Sequence, residues 1–416
     1  MHITTLVVVL YHLSLPQYNA FQPPAQTSNQ IRTVLPQQHL RGINQAFDGL
    51  HGEETTTNFE GVINRLLIFG LGNIGTLLAE SSSRCTIHDN ENNVRNDRDV
   101  YTPSYFDHIY GTTRDEKTID GVQVLNMSSC QEWKHILPTC THILVTVPPI
   151  DSHFNSKQQI YVGGRPRKWT YFCDSILNHP HVSLREMIPK STWIGYISTT
   201  SVYGNHDGEW VTEDSELKCQ PGSKGELYLK AEEEWRKAAR ECGWKLHIFR
   251  CAGLYGNGRS ALHTLMKCGF EPRMGDDGAG AVKRVEYPTS RIHEEDVVWA
   301  ILRAMLHHDH SAVGQGCIWN LADDDPAPRS EVMFYGSKLL DETGIAPFPD
   351  RALTPVNSIV GEQQESQREK RRKLDRKRVC NLRMKTGLLP DGRLIYPTYR
   401  EGLKSILRNN KDAWLL

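Results

Sequence analysis

This chain of 416 residues predicts an α/β fold built on a doubly wound parallel sheet. Two observations carry the prediction. An apolar strand pattern runs straight into a glycine-rich turn and a helix over residues 62–80. Further short apolar runs recur at 142–147, 193–199 and 245–250, in alternation with helical stretches. Strands apolar on both faces that alternate with helices belong to a parallel sheet covered on both sides.

The first element is the most informative. Leu66 to Phe69 form the buried part of a strand, and Gly70-Leu71-Gly72-Asn73-Ile74-Gly75 follows at once, before the helical Thr76-Leu77-Leu78-Ala79-Glu80. A G-x-G-x-x-G placed between strand and helix is specific for a dinucleotide. Gly70 permits the tight turn, Gly72 lets the backbone approach a pyrophosphate, and Gly75 allows the helix to pack closely on the strand. Asn73 and Ile74 open the helix, whose free N–H groups and positive dipole end suit the anion.

The next strand should select the cofactor. A polar Asn/Asp-rich stretch over 81–107 reads as a surface insertion. His108 to Arg114 then looks like strand two and its exit. An NAD-selective site carries Asp or Glu there for the ribose 2′-OH. Thr113 and Arg114 occupy that place, and a guanidinium suits a 2′-phosphate. NADP is therefore expected over NAD. Asp115 and Glu116 leave open that Arg114 is an exposed cation paired locally. The strand at 142–147 ends in Val147-Pro148, at the rim where a cofactor ribose would lie.

Later segments resemble one family. Ser198 to Gly204 (STTSVYG) is similar to the S-[ST]-x-x-V-Y-G of extended short-chain dehydrogenases/reductases, the nucleotide-sugar epimerases and dehydratases. Arg250 to Arg259 resembles their R-x-x-x-x-Y-G-P-G-R, and Arg291 to Val297 their [FR]-I-H-V-D-D-[VI]. Trp319 to Pro326 and Tyr396 to Leu403 resemble the atypical NAD(P)-dependent epimerase/dehydratase-like subgroup. These matches run in family order from about residue 63 to 407.

The resemblance implies an NAD(P)-dependent protein acting on a nucleotide-sugar-like or other hydroxyl/carbonyl substrate. It places the substrate-positioning hydroxyl on Thr199. The family's Tyr-x-x-x-Lys pair, the proton donor and its cation, aligns with Lys224 and Tyr228, so the motif is inverted here. Moving Tyr228 into the first place sets Glu232 where the cation belongs. A substrate-binding Asn of the family corresponds to Gly253. Lys224 and Tyr228 still share a helix face, so they remain the catalytic candidates with Thr199. A catalytically silent NADP-binding sensor or assembly factor is the alternative. Tyr203 and Tyr255 read as packing residues, and a homodimer is a candidate assembly.

The matches divide the chain into a Rossmann domain over 61–256 and a substrate lobe over 257–416, with 290–325 returning to the Rossmann core. Composition suits a folded core with polar tails. Hydrophobic residues are 38% and charged residues 23%, which excludes a wholly disordered chain, a collagen and a multi-span membrane protein. Lys plus Arg number 48 against 49 Asp plus Glu, a balance that predicts no nucleic-acid partner. The ten cysteines form no C-x-x-C pair, so no metal site is expected and reduced thiols are. His307, His308 and His310 complement a helix C-terminus. The basic run Arg368 to Arg378 reads as a solvated loop-and-helix face.

The N-terminus carries an address. Residues 3–15 (ITTLVVVLYHLSL) form an apolar run interrupted by His12. As a helix it reaches about 20 Å, short of a bilayer core of about 30 Å. The length suits a signal-peptide h-region, although no Lys or Arg precedes it. Ala20-Phe21-Gln22-Pro23 resembles the Ala|Phe-x-Pro cleavage signature of bipartite presequences in algae with secondary plastids. That resemblance implies a signal peptide over 1–20, a transit segment over 21–60, and a plastid protein with no membrane span when mature. The secretory pathway is the alternative.

Overall fold

A computed structural model describes residues 63–83, 105–149, 160–162, 165–167, 176–177, 179, 181–268, 287–306, 316–345 and 376–415. The expected signal and transit segments and His307 to His310 lie outside these residues.

Seven parallel strands form the central sheet. They are β1 (Arg65–Phe69), β2 (His108–Thr113), β3 (Gln123–Asn126), β4 (His142–Val145), β5 (Trp193–Thr199), β6 (Lys245–Cys251) and β7 (Cys317–Leu321). Their spatial order is β7-β6-β5-β4-β1-β2-β3, and every neighbouring pair is parallel. The strand order reverses between β1 and β4, the switch point where open α/β sheets bind ligands beyond the carboxyl ends of the strands.

The period of two along each strand sorts side chains between two cores. Leu66 and Ile68 of β1 join an apolar cluster with Trp193 of β5 and Phe249 of β6. The helices α1 (Asn73–Ser83) and α3 (Glu294–Leu306) cover that face, through Ile74, Leu78, Val298 and Ile301 among others. Leu67 and Phe69 point the other way, with Ile143, Val145, Ile194, Tyr196 and Ile248. There the covering helix is α2 (Lys224–Cys242), through Tyr228, Ala231, Trp235 and Ala238. Burying each large apolar side chain is worth about 1.5–3 kcal/mol, which explains why β1 tolerates no polar residue from Leu66 to Phe69.

Helix α2 shows its limits in sequence. Ser223 caps it, with its Oγ accepting from the Glu226 N–H at 3.2 Å, while the Glu226 carboxylate accepts from the Gly222 N–H at 2.6 Å. Gly243 ends it at φ +73°, a left-handed conformation that glycine adopts without strain.

A third apolar cluster joins the helices Ala261–Cys268, Arg329–Glu342 and Tyr399–Leu415 through Leu262, Leu265, Leu339, Leu403 and Ile406. Strand β7 lies in the central sheet and α3 shares the apolar cluster of β1, so the chain between the first two of these helices returns to the Rossmann layer.

Two sequence expectations are corrected. Ser81, Ser82 and Ser83 form the buried last turn of α1, so the insertion expected from residue 81 does not include them. The helix accommodates the hydroxyls of Ser81 and Ser83 because backbone carbonyls accept them, Leu77 O at 2.7 Å and Glu80 O at 3.2 Å. The basic run does not end as a solvated face. Arg378-Val379 is a strand paired with Trp210-Val211, and Lys377 is buried with its Nζ donating to Gly204 O at 3.2 Å. Backbone pairing there outweighs the charge of the run.

The seven described cysteines are free thiols. No described helix is long and apolar enough to cross a membrane, and no described group of three His, Cys, Asp or Glu is arranged for a metal ion.

Candidate cofactor and substrate site

The turn between β1 and α1 is built around three glycines that differ in what they tolerate. Gly70 has φ +100°, and a Cβ there would lie 2.7 Å from Thr146 Oγ1 and 2.9 Å from Val147 Cγ2. A Cβ on Gly75 would lie 2.1 Å from the Gly70 carbonyl oxygen. A Cβ on Gly72 would meet nothing within 4 Å. The first two glycines are therefore demanded by packing within the protein. The third faces open space, as a residue must where a ligand's phosphates come close.

Hydrogen bonds from both flanking strands fix the turn. The Gly70 N–H donates to Thr112 Oγ1 at 3.1 Å and the Leu71 N–H to Thr112 O at 2.8 Å. Thr146 Oγ1 donates to Gly70 O at 2.6 Å. The first helical bond of α1 is Thr76 N–H to Gly72 O at 2.8 Å. The N–H groups of Asn73, Ile74 and Gly75 thus have no acceptor inside the helix. With the helix dipole behind them, they form an anion cradle.

Arg114 follows the last residue of β2, and Thr113 turns the exit by accepting from the Asp115 N–H at 3.2 Å. Lys117 reaches back to the cradle, donating to Leu71 O at 3.2 Å and to Thr76 Oγ1 at 2.5 Å. Sequence reasoning missed Lys117. Its signal was slight: a second cation in the same strand exit. Val147 lies against Gly70 and Pro148 is exposed beside it.

The sheet register carries Thr199 to the same edge. Phe69 pairs with Val145, Val145 with Tyr196, and Thr199 with Cys251. Thr199 Oγ1 accepts from the Ser201 N–H at 3.3 Å and donates to Ser201 Oγ at 3.2 Å. Helix α2 starts against this turn, since a Cβ on Gly225 would lie 2.3 Å from Ser201 O. The helix presents Lys224 and Tyr228 differently. Tyr228 is buried among apolar residues, whereas Lys224 is exposed with its Nζ 5.3 Å from the Tyr228 ring centroid.

Glu232 has no free charge to offer. It is 1% exposed and receives Arg250 Nη2 at 2.7 Å, Arg250 Nε at 3.1 Å on its other oxygen, and Ser198 Oγ at 2.5 Å. Arg250 Nη1 donates to Tyr203 OH at 3.0 Å, and that hydroxyl donates to Asn320 Oδ1 at 2.6 Å. The Arg250 and Tyr203 motif residues therefore tie α2 to β5, β6 and β7 through one buried network. Tyr203 is structural, as expected of a packing residue. Tyr255 is likewise buried, its hydroxyl donating to Thr398 O at 3.5 Å.

Three other motifs meet under α3. Asp296 accepts from the Ile395 N–H at 2.6 Å and the Tyr396 N–H at 3.1 Å, and Glu295 accepts from Tyr396 OH at 3.0 Å. Burial pushes His293 down to about 3. Burial also pushes Asp323 up to about 8 from the usual 3.8, with the Arg291 charge pulling the other way. The folded chain thus holds the Asp323 proton to higher pH than the unfolded chain does. The stability this gives is present below the unfolded value near 4 and is lost as pH rises toward 8, by up to about 1.4 kcal/mol per pH unit. Asp323→Asn removes the titration. Its melting temperature is expected to exceed that of the native chain more at pH 8.5 than at pH 5, and an equal difference at both would contradict the assignment.

No protein-family model and no curated protein matches the chain. Solved structures do match it. A conserved protein of unknown function from Silicibacter pomeroyi aligns at TM-score 0.52 and 24% identity, over 82% of this chain and 98% of that one. A Methylobacillus flagellatus protein assigned as an NAD-dependent epimerase/dehydratase aligns at TM-score 0.52 and 18% identity, over 84% and 99%. MoeE5, solved with UDP-glucose and NAD, aligns at TM-score 0.53 and 16% identity, over 84% and 99%. At these identities the likeness establishes the Rossmann-type fold.

Proposed function

We propose that the chain binds a nicotinamide dinucleotide at the β1–α1 turn, NADP in preference to NAD. We further propose that it acts with the cofactor on a hydroxyl or carbonyl substrate, in the manner of epimerase/dehydratase-like or reductase-like proteins. The observation that carries this reading is the glycine turn. Two glycines are required by internal contacts, and the one between them is left open over unbonded N–H groups. MoeE5, which shares the fold, holds UDP-glucose and NAD, and this supports a nucleotide-sugar-like substrate.

Asn73, Ile74 and Gly75 would hold the pyrophosphate, and Arg114 with Lys117 the adenosine side. Val147 and Pro148 would line the ribose rim. When bound, the cofactor supplies or takes the hydride. The protein's part is to place the substrate oxygen on Thr199 Oγ1 and to move its proton through Lys224 and Tyr228. Delivery to a plastid is proposed from the Ala20-Phe21 junction, and a fluorescent fusion of residues 1–60 that stays cytosolic would refute it.

A specific observation favours the second reading, a silent NADP-binding sensor or assembly factor. The family's proton donor is displaced, Tyr228 is buried, and Glu232 is locked to Arg250. A screen of carbonyl and nucleotide-sugar compounds with NADPH separates the two. Turnover of any compound supports the enzyme, and binding without turnover supports the sensor.

Cofactor choice is tested directly. Arg114→Ala should lose about 1.5–3 kcal/mol of NADP affinity by titration calorimetry, the worth of a charge-assisted hydrogen bond, with little change for NAD. Equal losses for the two cofactors would overturn the NADP assignment.

A further inference from the structure

Two cations, Lys224 and Arg259, stand near the end of β5 with no hydrogen-bonded or ion-paired acid among the described residues. Lys224 is the first residue of α2, and its Nζ stands 5.3 Å from the centroid of the Tyr228 ring. Arg259 lies in the turn after Gly253–Tyr255, closed by Gly256 N–H to Arg259 O at 3.1 Å and Arg259 N–H to Gly256 O at 3.2 Å. Its guanidinium has no hydrogen bond or ion pair among the described residues, and it is exposed. Glu294, the first residue of α3, packs on this turn and feels the Arg259 charge, but its Oε1 is taken by the Asn257 N–H at 2.7 Å.

The backbone places these cations at one edge. Thr199 pairs in register with Cys251, and the chain runs from Cys251 through the short strand Gly253–Tyr255 to Arg259. On the other side, Thr199 bonds to Ser201, and the Ser201 carbonyl packs against Gly225, next to Lys224. Burial, and then the Arg259 charge, pull the Lys224 ammonium below its usual value. The two charges thus act on each other at the end of β5 to which both backbone paths lead.

This arrangement is unfavourable for the protein alone. A helix N-terminus favours acids and disfavours cations, and like charges repel where water is partly excluded. An anion between Lys224 and Arg259 relieves both terms. We infer that Lys224 and Arg259 form a subsite for an anionic group, carboxylate or phosphate, of the substrate whose reacting oxygen lies against Thr199. The inference rests on the reading of Thr199 given above and deepens it. The substrate is an acid or phosphate ester, and the lysine standing in the family's tyrosine position binds charge.

The test uses the full chain with three sugars that differ in charge: glucuronate, glucose 1-phosphate and neutral glucose. Each is titrated with and without saturating NADP. At least one anionic sugar should bind ten-fold or more tighter than glucose, and which one does so separates carboxylate from phosphate. Lys224→Met and Arg259→Met should each remove most of that preference, while Lys224→Arg retains it. Melting temperatures of the variants confirm folding. Variants that keep the anion preference, or glucose binding as tightly as both anions, overturn the subsite. Failure of NADP itself to bind in the same samples overturns the cofactor reading instead, and the titrations without NADP still decide the subsite.

Discussion

Arg250→Met is expected to lower the unfolding free energy by about 3–5 kcal/mol, the cost of leaving one member of a buried ion pair behind. Glu232 would keep only the Ser198 hydroxyl in a site 1% exposed. Tyr203 would lose the guanidinium and keep Asn320. Glu232→Gln should cost a comparable amount, because it leaves the Arg250 charge uncompensated. The double change Arg250→Met with Glu232→Leu should recover a large part of the loss, since two apolar side chains remove both desolvation costs. Urea unfolding of the four proteins measures this. Single changes costing less than about 1 kcal/mol, the value of an exposed pair, would show that the network is not sealed from water.

The second large effect separates stability from binding. Gly72→Asp adds a side chain where a Cβ meets nothing within 4 Å, immediately before α1. Aspartate is a favoured N-cap, so stability should hold or rise by a few tenths of a kcal/mol. Its carboxylate would stand where the pyrophosphate is proposed to lie. Like charges brought together cost several kcal/mol, and each 1.4 kcal/mol is about ten-fold in affinity. Dinucleotide binding should fall by about 10²-fold or more. Gly75→Ala should act in the opposite sense. Its Cβ would lie 2.1 Å from Gly70 O, so α1 or the turn must shift, at about 1–3 kcal/mol of stability. Calorimetry and urea unfolding on both variants check the split. Full NADP and NAD affinity in Gly72→Asp would move the cofactor elsewhere.

These two results bear on why motif residues recur in this chain. Arg250, Tyr203, Asp296 and Tyr396 belong to the segments that resemble a family, yet each is engaged in holding the chain to itself. The glycine-rich turn is the segment with a residue, Gly72, that faces open space. A motif read from sequence shows that a residue type is needed, and the structure shows whether a ligand or another part of the chain needs it.

The fold class and the glycine-rich turn after β1 were legible in the chain alone. Both follow from local rules: a run apolar on both faces must be a covered strand, and glycines at fixed offsets must serve a turn, a close approach and a helix contact. Thr199 was singled out by the STTSVYG segment that resembles a family, and the structure places it as the last of the seven residues of β5. The tertiary structure alone decided what depends on residues distant in the chain. Lys117 meets Thr76 across 41 positions, and Arg250 meets Tyr203 across 47. The segment that carries Arg259 leaves the sheet beside Thr199 because β5 and β6 are neighbours. Helix periodicity placed Lys224 and Tyr228 on one face, yet it could not say that one would be buried and the other exposed. Tyr228 belongs to the apolar cluster that holds Val202, Tyr203 and Trp235, elements brought together only by the fold.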